Sequence, residues 1–141
     1  MTDARLQLAK WFEDFWHGPL PANGNADLFE VCGIAGDDAS DFMDAFGARF
    51  GVDDDGYRWY FHHGEEGSNF GGLFFKPPYR RVVRVPITPD MLAEAIESKR
   101  WPLRYPPHEL PTVRWDIRIN QILMIIPVIM FGLWVWKRFL A

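Results

Sequence analysis

The sequence predicts a mostly α fold: a small helical bundle with an irregular aromatic and glycine-rich insertion, followed by one C-terminal transmembrane helix. Three observations predict it. Apolar residues recur at helical spacing in three stretches before residue 101, led by Phe42, Phe46 and Phe50. Helix-starting and helix-stopping residues bracket each stretch. Finally, Ile122 to Trp136 is fifteen residues without a charge.

The first helix is expected over residues 3–17, where Leu8, Phe12, Phe15 and Trp16 fall on one face. Thr2 or Asp3 caps it and Gly18-Pro19 ends it. Residues 18–27 (GPLPANGNAD) read as a loop. Asp27 to Cys32 either begins a short helix or leads Leu28, Phe29 and Val31 into the core. Val31 to Val52 is a turn followed by an amphipathic helix, with Met43 and Ala45 widening the phenylalanine stripe. Asp37, Asp38, Asp41 and Asp44 crowd its first turns, where carboxylates suit the positive end of the helix dipole. Gly51 stands at the position of a helix C′ glycine.

An acidic turn, Asp53-Asp54-Asp55-Gly56, leads to the cluster Tyr57, Trp59, Tyr60 and Phe61. His62-His63-Gly64-Glu65-Glu66 follows. Its histidines and carboxylates invite a metal reading, but adjacent side chains diverge and no second ligand set stands at a recognised spacing, so a solvated loop is expected. Residues 67–78 (GSNFGGLFFKPP) lack the strand–GxGxxG–helix setting of a phosphate cradle. Arg80 to Val85 is expected to be extended. Thr88-Pro89-Asp90 starts a helix that runs to about Arg100, with Leu92, Ala95 and Ile96 on one face and Trp101-Pro102 as the stop. Residues 102–111, with four prolines, read as a stiff linker.

The tail is apolar all round, so it lacks the polar face of an interfacial helix. Arg114 and Arg118 precede it, Lys137 and Arg138 follow it, and Trp115, Trp134 and Trp136 stand like an interface belt. Fifteen apolar residues are fewer than the roughly 20 of a straight span. Including the flanking residues, a span over 117–138 is expected, with a buried core helix as the alternative. Arg100, Arg104, Arg114 and Arg118 before the span, against Lys137 and Arg138 after it, put the N-terminal domain in the cytoplasm. The expectation is therefore a single-pass protein of the inner (cytoplasmic) membrane.

Charge is divided unevenly. Residues 1–70 hold fourteen acids against four Lys/Arg, whereas residues 71–141 hold five acids against eleven. The acidic front argues against nucleic acid as a partner. The basic back, beside an apolar tail, suits anionic lipid headgroups. The lone cysteine, Cys32, excludes an internal disulfide, and the charged N-terminus shows no signal peptide.

The stretch from Val31 to Val52 resembles acyl carrier proteins, in which a G-A-D-S-L-D motif opens the second helix and its serine carries phosphopantetheine. Gly33 and Asp38 match the motif's glycine and last aspartate, Asp41-Phe42 and Ala45-Phe46 match helix pairs, and Phe50-Gly51-Val52 matches the closing F-G-V. Counted without a gap, the attachment serine falls on Gly36, and the nearest hydroxyl, Ser40, lies a full turn later. Residues 27–106 resemble a bacterial family catalogued as domain of unknown function 1493, whose members are small and acyl-carrier-like. The matching pieces are Gly36–Ala39 (GDDA), Phe50–Asp53 (FGVD), Trp59–His62 (W-x-x-F-H), Pro86–Leu92 (PITPxML) and Arg100–Pro106 (RWPLxYP). The resemblance implies an acyl-carrier-like bundle over residues 1–101, with the Thr88 helix as its last helix.

The expected organisation is therefore residues 1–101 as the bundle, 102–116 as a juxtamembrane linker, 117–138 as the span and 139–141 as a tail. The expected role is a membrane-anchored interaction module without a cofactor, docking a basic protein partner on Asp37, Asp38, Asp41 and Asp44. Two other classes follow from single residues: a carrier modified at Ser40, and an enzyme pairing Cys32 with His17 or His62. The second is the weaker, because Cys32 stands at an apolar motif position and reads as core. A soluble structural domain with its C-terminal helix buried is the remaining alternative.

Overall fold

The computed structural model describes residues 2–140, so Met1 and Ala141, at the ends of the expected bundle and tail, lie outside the described residues. Five α-helices run in order among the described residues: α1 (Asp3–Trp16), α2 (Leu28–Cys32), α3 (Gly36–Phe50), α4 (Pro89–Ser98) and α5 (Trp115–Val135). Three short 3-10 turns, Trp59–Phe61, Gly71–Leu73 and Pro78–Arg80, lie between α3 and α4. Among the described residues there is no strand, only an isolated parallel bridge between Asp53 and Arg100. Contacts divide the chain into one unit of Met1–Glu66 with Val82–Pro107 and another of Gly67–Arg81 with His108–Ala141.

In the first unit the caps are as the residue types require. Thr2 Oγ1 accepts from Arg5 N at 3.3 Å and Thr88 Oγ1 from Met91 N at 3.2 Å. The short helix left open by the sequence does form, because Asp27 accepts from Glu30 N and so satisfies one of its orphan donors. At the far end of α3, Gly51 adopts φ 63°, a left-handed conformation that glycine reaches without steric cost.

The core grows from the expected stripe. Leu8, Phe12, Phe42, Phe46, Phe50, Leu92, Ala95 and Ile96 are all buried. Phe42 is its centre, with ring centroids 5.3 Å from Trp11, 5.7 Å from Phe29 and 6.0 Å from both Phe12 and Phe15. The ends of α3 and α4 are tied together as well. Lys99 Nζ donates to Phe50 O at 2.8 Å, Asp53 N to Lys99 O at 3.0 Å, and Trp101 N to Asp53 O at 2.9 Å.

Several expectations are corrected here. The last bundle helix stops at Ser98 rather than near Arg100, because Lys99 turns left-handed at φ 59° and leaves residues 99–101 to pair with the end of α3. Residues 80–85 do not form a strand: the segment opens in the Pro78–Arg80 turn, and Val85 N finds Phe61 O at 2.7 Å without a ladder to continue it. The proline-rich stretch is not merely a linker at its start, since Tyr105 packs against the core with its ring 4.5 Å from Phe61.

The second unit pairs the glycine-rich excursion with α5. That helix begins at Trp115, two residues before the expected span, and continues into a π-turn over Trp136–Leu140. Trp115–Phe139 is long and apolar enough to cross a membrane, and none of its most apolar window is buried. Arg114 and Trp115 flank its start, Arg118 lies 5.2 Å over the Trp115 ring, and Trp134, Trp136, Lys137 and Arg138 lie exposed towards its end.

Replacing Phe42 by Ala removes the ring that five other rings pack around. A loss of about 3–5 kcal/mol is expected, read as a lower thermal midpoint of the full chain in detergent micelles.

Candidate functional site at the start of helix α3

Helix α3 opens without a side-chain cap, because Ala35 occupies the N-cap position. Gly36, the first residue, has φ 53° and lies beneath the Glu66 side chain, which a Cβ at this position would strike. The residue at the matched attachment position thus has neither a hydroxyl nor room for a side chain while Glu66 stays in place. An open cleft of about 450 Å³ adjoins it, lined by Gly36, Asp37, Ser40, Trp59, His63 and Glu66 among others.

Asp37, Asp38, Asp41 and Asp44 are all exposed. Asp37, Asp41 and Asp44 fall at i, i+4 and i+7 along one strip, with Asp38 beside it. Ser40 is exposed on the same helix, one turn beyond Gly36. The helix therefore presents its carboxylates to solvent while turning its phenylalanines inward.

The two histidines do not lie in a solvated loop, which corrects the expectation for residues 62–66. His62 is fully buried and His63 nearly so. His62 Nδ1 lies 2.8 Å from Val85 O, which can only accept, so this nitrogen carries the proton and Nε2 accepts from Tyr105 Oη at 2.6 Å. Tyr105 Oη in turn accepts from Trp101 Nε1 at 2.8 Å. Both ring nitrogens are thus engaged, leaving His62 no free lone pair for a metal or for Cys32. Arg84 binds from the other side: Nε donates to His62 O at 2.9 Å, and the guanidinium pairs with the Asp27 carboxylate that caps α2. Burial raises the Asp27 pKa, but the Arg84 hydrogen bond and charge, with the Glu30 N–H, outweigh it and bring the carboxyl below its ordinary value.

His63 uses Nδ1 on Gly64 O at 2.9 Å, whereas its buried Nε2 has no hydrogen-bond partner. Glu65 and Glu66 are exposed. The metal-capable trio that does converge among the described residues is Asp53, Asp54 and Asp55, on an exposed turn where Asp53 Oδ1 already accepts from Asp55 N. Cys32 is half-buried against the core, and burial pushes its thiol pKa up, which disfavours the reactive thiolate. His17, the other candidate base, is exposed at the left-handed C-cap of α1.

Sequence reasoning missed the His62–Tyr105–Trp101 network. The signal available was the Trp101–Tyr105 pair inside a proline-rich stretch, where buried aromatics with polar tips are out of place in a plain linker. No family model, curated protein or solved structure matches the chain.

Burial, against a smaller opposing effect of the Val85 hydrogen bond, holds the His62 pKa down at about 4 from an ordinary 6.5. The unfolded chain then binds this proton more readily than the folded one. The stabilisation is therefore whole above about pH 6.5 and is lost as pH falls towards 4, by up to about 3 kcal/mol. Burial lowers the His63 pKa too, which adds loss of the same sign. Thermal midpoints of the full chain measured from pH 7.5 down to 4.5 should fall accordingly, and Tyr105→Phe should cost about 1–3 kcal/mol at neutral pH.

Proposed function

We propose that this chain is a membrane-anchored, acyl-carrier-like interaction domain that has no attachment serine and docks a basic protein partner on the exposed carboxylates of α3. The observation that carries the reading is α5 with its π-turn, an apolar helical stretch over Trp115–Phe139 with none of its most apolar window buried. An unshielded helix of this length needs a non-aqueous surrounding. The arginines before it favour an inner-membrane protein whose N-terminal domain faces the cytoplasm. The carrier-like part is supported by the motif pieces between residues 27 and 106 and by Gly36 at the head of α3. The docking part is supported by the exposure of Asp37, Asp38, Asp41 and Asp44, which leaves them free to meet Lys or Arg side chains across an interface. No catalytic step and no cofactor is assigned to it.

A second reading, a carrier modified at Ser40, is favoured by one observation, the presence of Ser40 in the cleft beside the α3 start. Intact mass after co-expression with a phosphopantetheinyl transferase separates the two. An unchanged mass is expected, and a gain of one prosthetic group would replace the first reading with the second.

The anchor is tested by alkaline carbonate extraction of membranes. The full chain should stay in the pellet, and a chain lacking residues 112–141 should leave it; recovery of the full chain in the supernatant would end the membrane reading. For the docking face, partners are captured with the native chain and with Asp37, Asp38, Asp41 and Asp44 all changed to Asn. The basic partner should disappear from the second sample, and identical partner sets would remove the docking role.

A further inference from the structure

The excursion between Gly67 and Arg81 exposes more apolar surface than a water-facing turn needs. Phe70 is 60% exposed, Leu73 and Phe74 are each 76% exposed, and Phe75 is 44% exposed. The same excursion carries Lys76, Arg80 and Arg81 and no acid.

Its backbone is fixed to the first two turns of α5. Asn69 Nδ2 donates to Asp116 Oδ2 at 2.9 Å, Gly71 N donates to Asn120 Oδ1 at 2.8 Å, and Asn120 Nδ2 returns a bond to Asn69 Oδ1 at 2.9 Å. Gly71 lies so close to α5 that a Cβ would overlap the Asp116 backbone. Asp116, only 2% exposed, is further held by Arg114 at 2.6 and 2.9 Å. The polar residues on this face of α5, four positions apart, are therefore satisfied by the excursion.

The height of this contact along the helix identifies what covers the phenylalanines. The uncharged run begins at Ile122, two residues after Asn120, or about 3 Å along the axis. With α5 in a bilayer, the excursion lies within the headgroup layer, which occupies roughly the outer 5–8 Å on each side. Apolar side chains with a basic rim are the composition that enters that layer.

We propose that the turn Phe70–Phe75 is a second membrane-contacting element, which inserts Phe70, Leu73 and Phe74 into the bilayer interface beside α5 while Lys76, Arg80 and Arg81 meet anionic headgroups. This rests on the membrane reading of α5. The hydrogen bonds to Asp116 and Asn120 set the depth of the turn, and the turn in return shields two polar residues from lipid.

The test uses the full chain in phosphatidylcholine–phosphatidylglycerol nanodiscs, with Cys32→Ser and one introduced cysteine carrying a nitrobenzoxadiazole label. The label is placed by Phe74→Cys in the turn or by Val128→Cys in the apolar run. Lipids carry a nitroxide at a shallow or a deep acyl position. The expected result is blue-shifted emission at Phe74 lost to the shallow quencher and emission at Val128 lost to the deep one. Adding Gly71→Val, which cannot keep the close approach to α5, should abolish quenching at Phe74 and leave it at Val128. An unquenched Phe74 label beside a quenched Val128 label overturns the insertion and leaves the span intact, and blue-shifted but unquenched emission there assigns the patch to a protein neighbour instead. An unquenched Val128 label defeats the span itself. Equal quenching at Phe74 in purely zwitterionic discs overturns the headgroup contact of the basic residues.

Discussion

A neutral imidazole buried among aromatic rings holds the irregular half of the bundle in place. His62 accepts a hydrogen bond from Tyr105 and donates one to the Val85 carbonyl, so three segments without regular structure meet on one ring. Stacking reinforces the join, with Tyr57 lying 5.2 Å from His62 and nearly parallel to it. These segments cannot satisfy their polar groups through helical hydrogen bonds, so they depend on such side-chain links. Protonating the ring would replace an acceptor by a donor facing Tyr105 and place a charge among apolar neighbours.

Around this join the helices divide their surfaces cleanly. The phenylalanines of α3 face Trp11, Phe12 and Phe15 of α1, while the aspartates of α3 face water. Glu66 lies over Gly36, where a Cβ would strike its side chain. The unit that holds α5 is basic, with Lys76, Arg80, Arg81, Arg114, Arg118, Lys137 and Arg138 against Glu109 and Asp116. An acidic first unit and a basic second unit are thus carried on one chain.

The parts legible in the sequence were those with a local cause. Phe42, Phe46 and Phe50 mark a helix because four-residue spacing puts them on one face, and Thr88-Pro89 marks a start because the cap and the proline act on adjacent backbone. The run after Ile122 needs only length and lack of charge. The illegible parts depend on distant pairs. Tyr105 and His62 are 43 residues apart, and no period joins them. The same holds for Gly71 and Asn120, 49 apart, where asparagine and aspartate at the head of an apolar helix read only as weak polarity. Asp37, Asp38, Asp41 and Asp44 crowd the start of α3 as their sequence positions dictate, and all four are exposed.

The clasp between the excursion and α5 also sets an order of events during synthesis. Asn69 leaves the ribosome 47 residues before Asp116, the partner it will bond. At ordinary elongation rates that is an interval of roughly 2–10 s. Throughout it the phenylalanines have no helix beside them and the amide of Gly71 has no asparagine to meet. The excursion's final conformation is therefore reached only when α5 arrives.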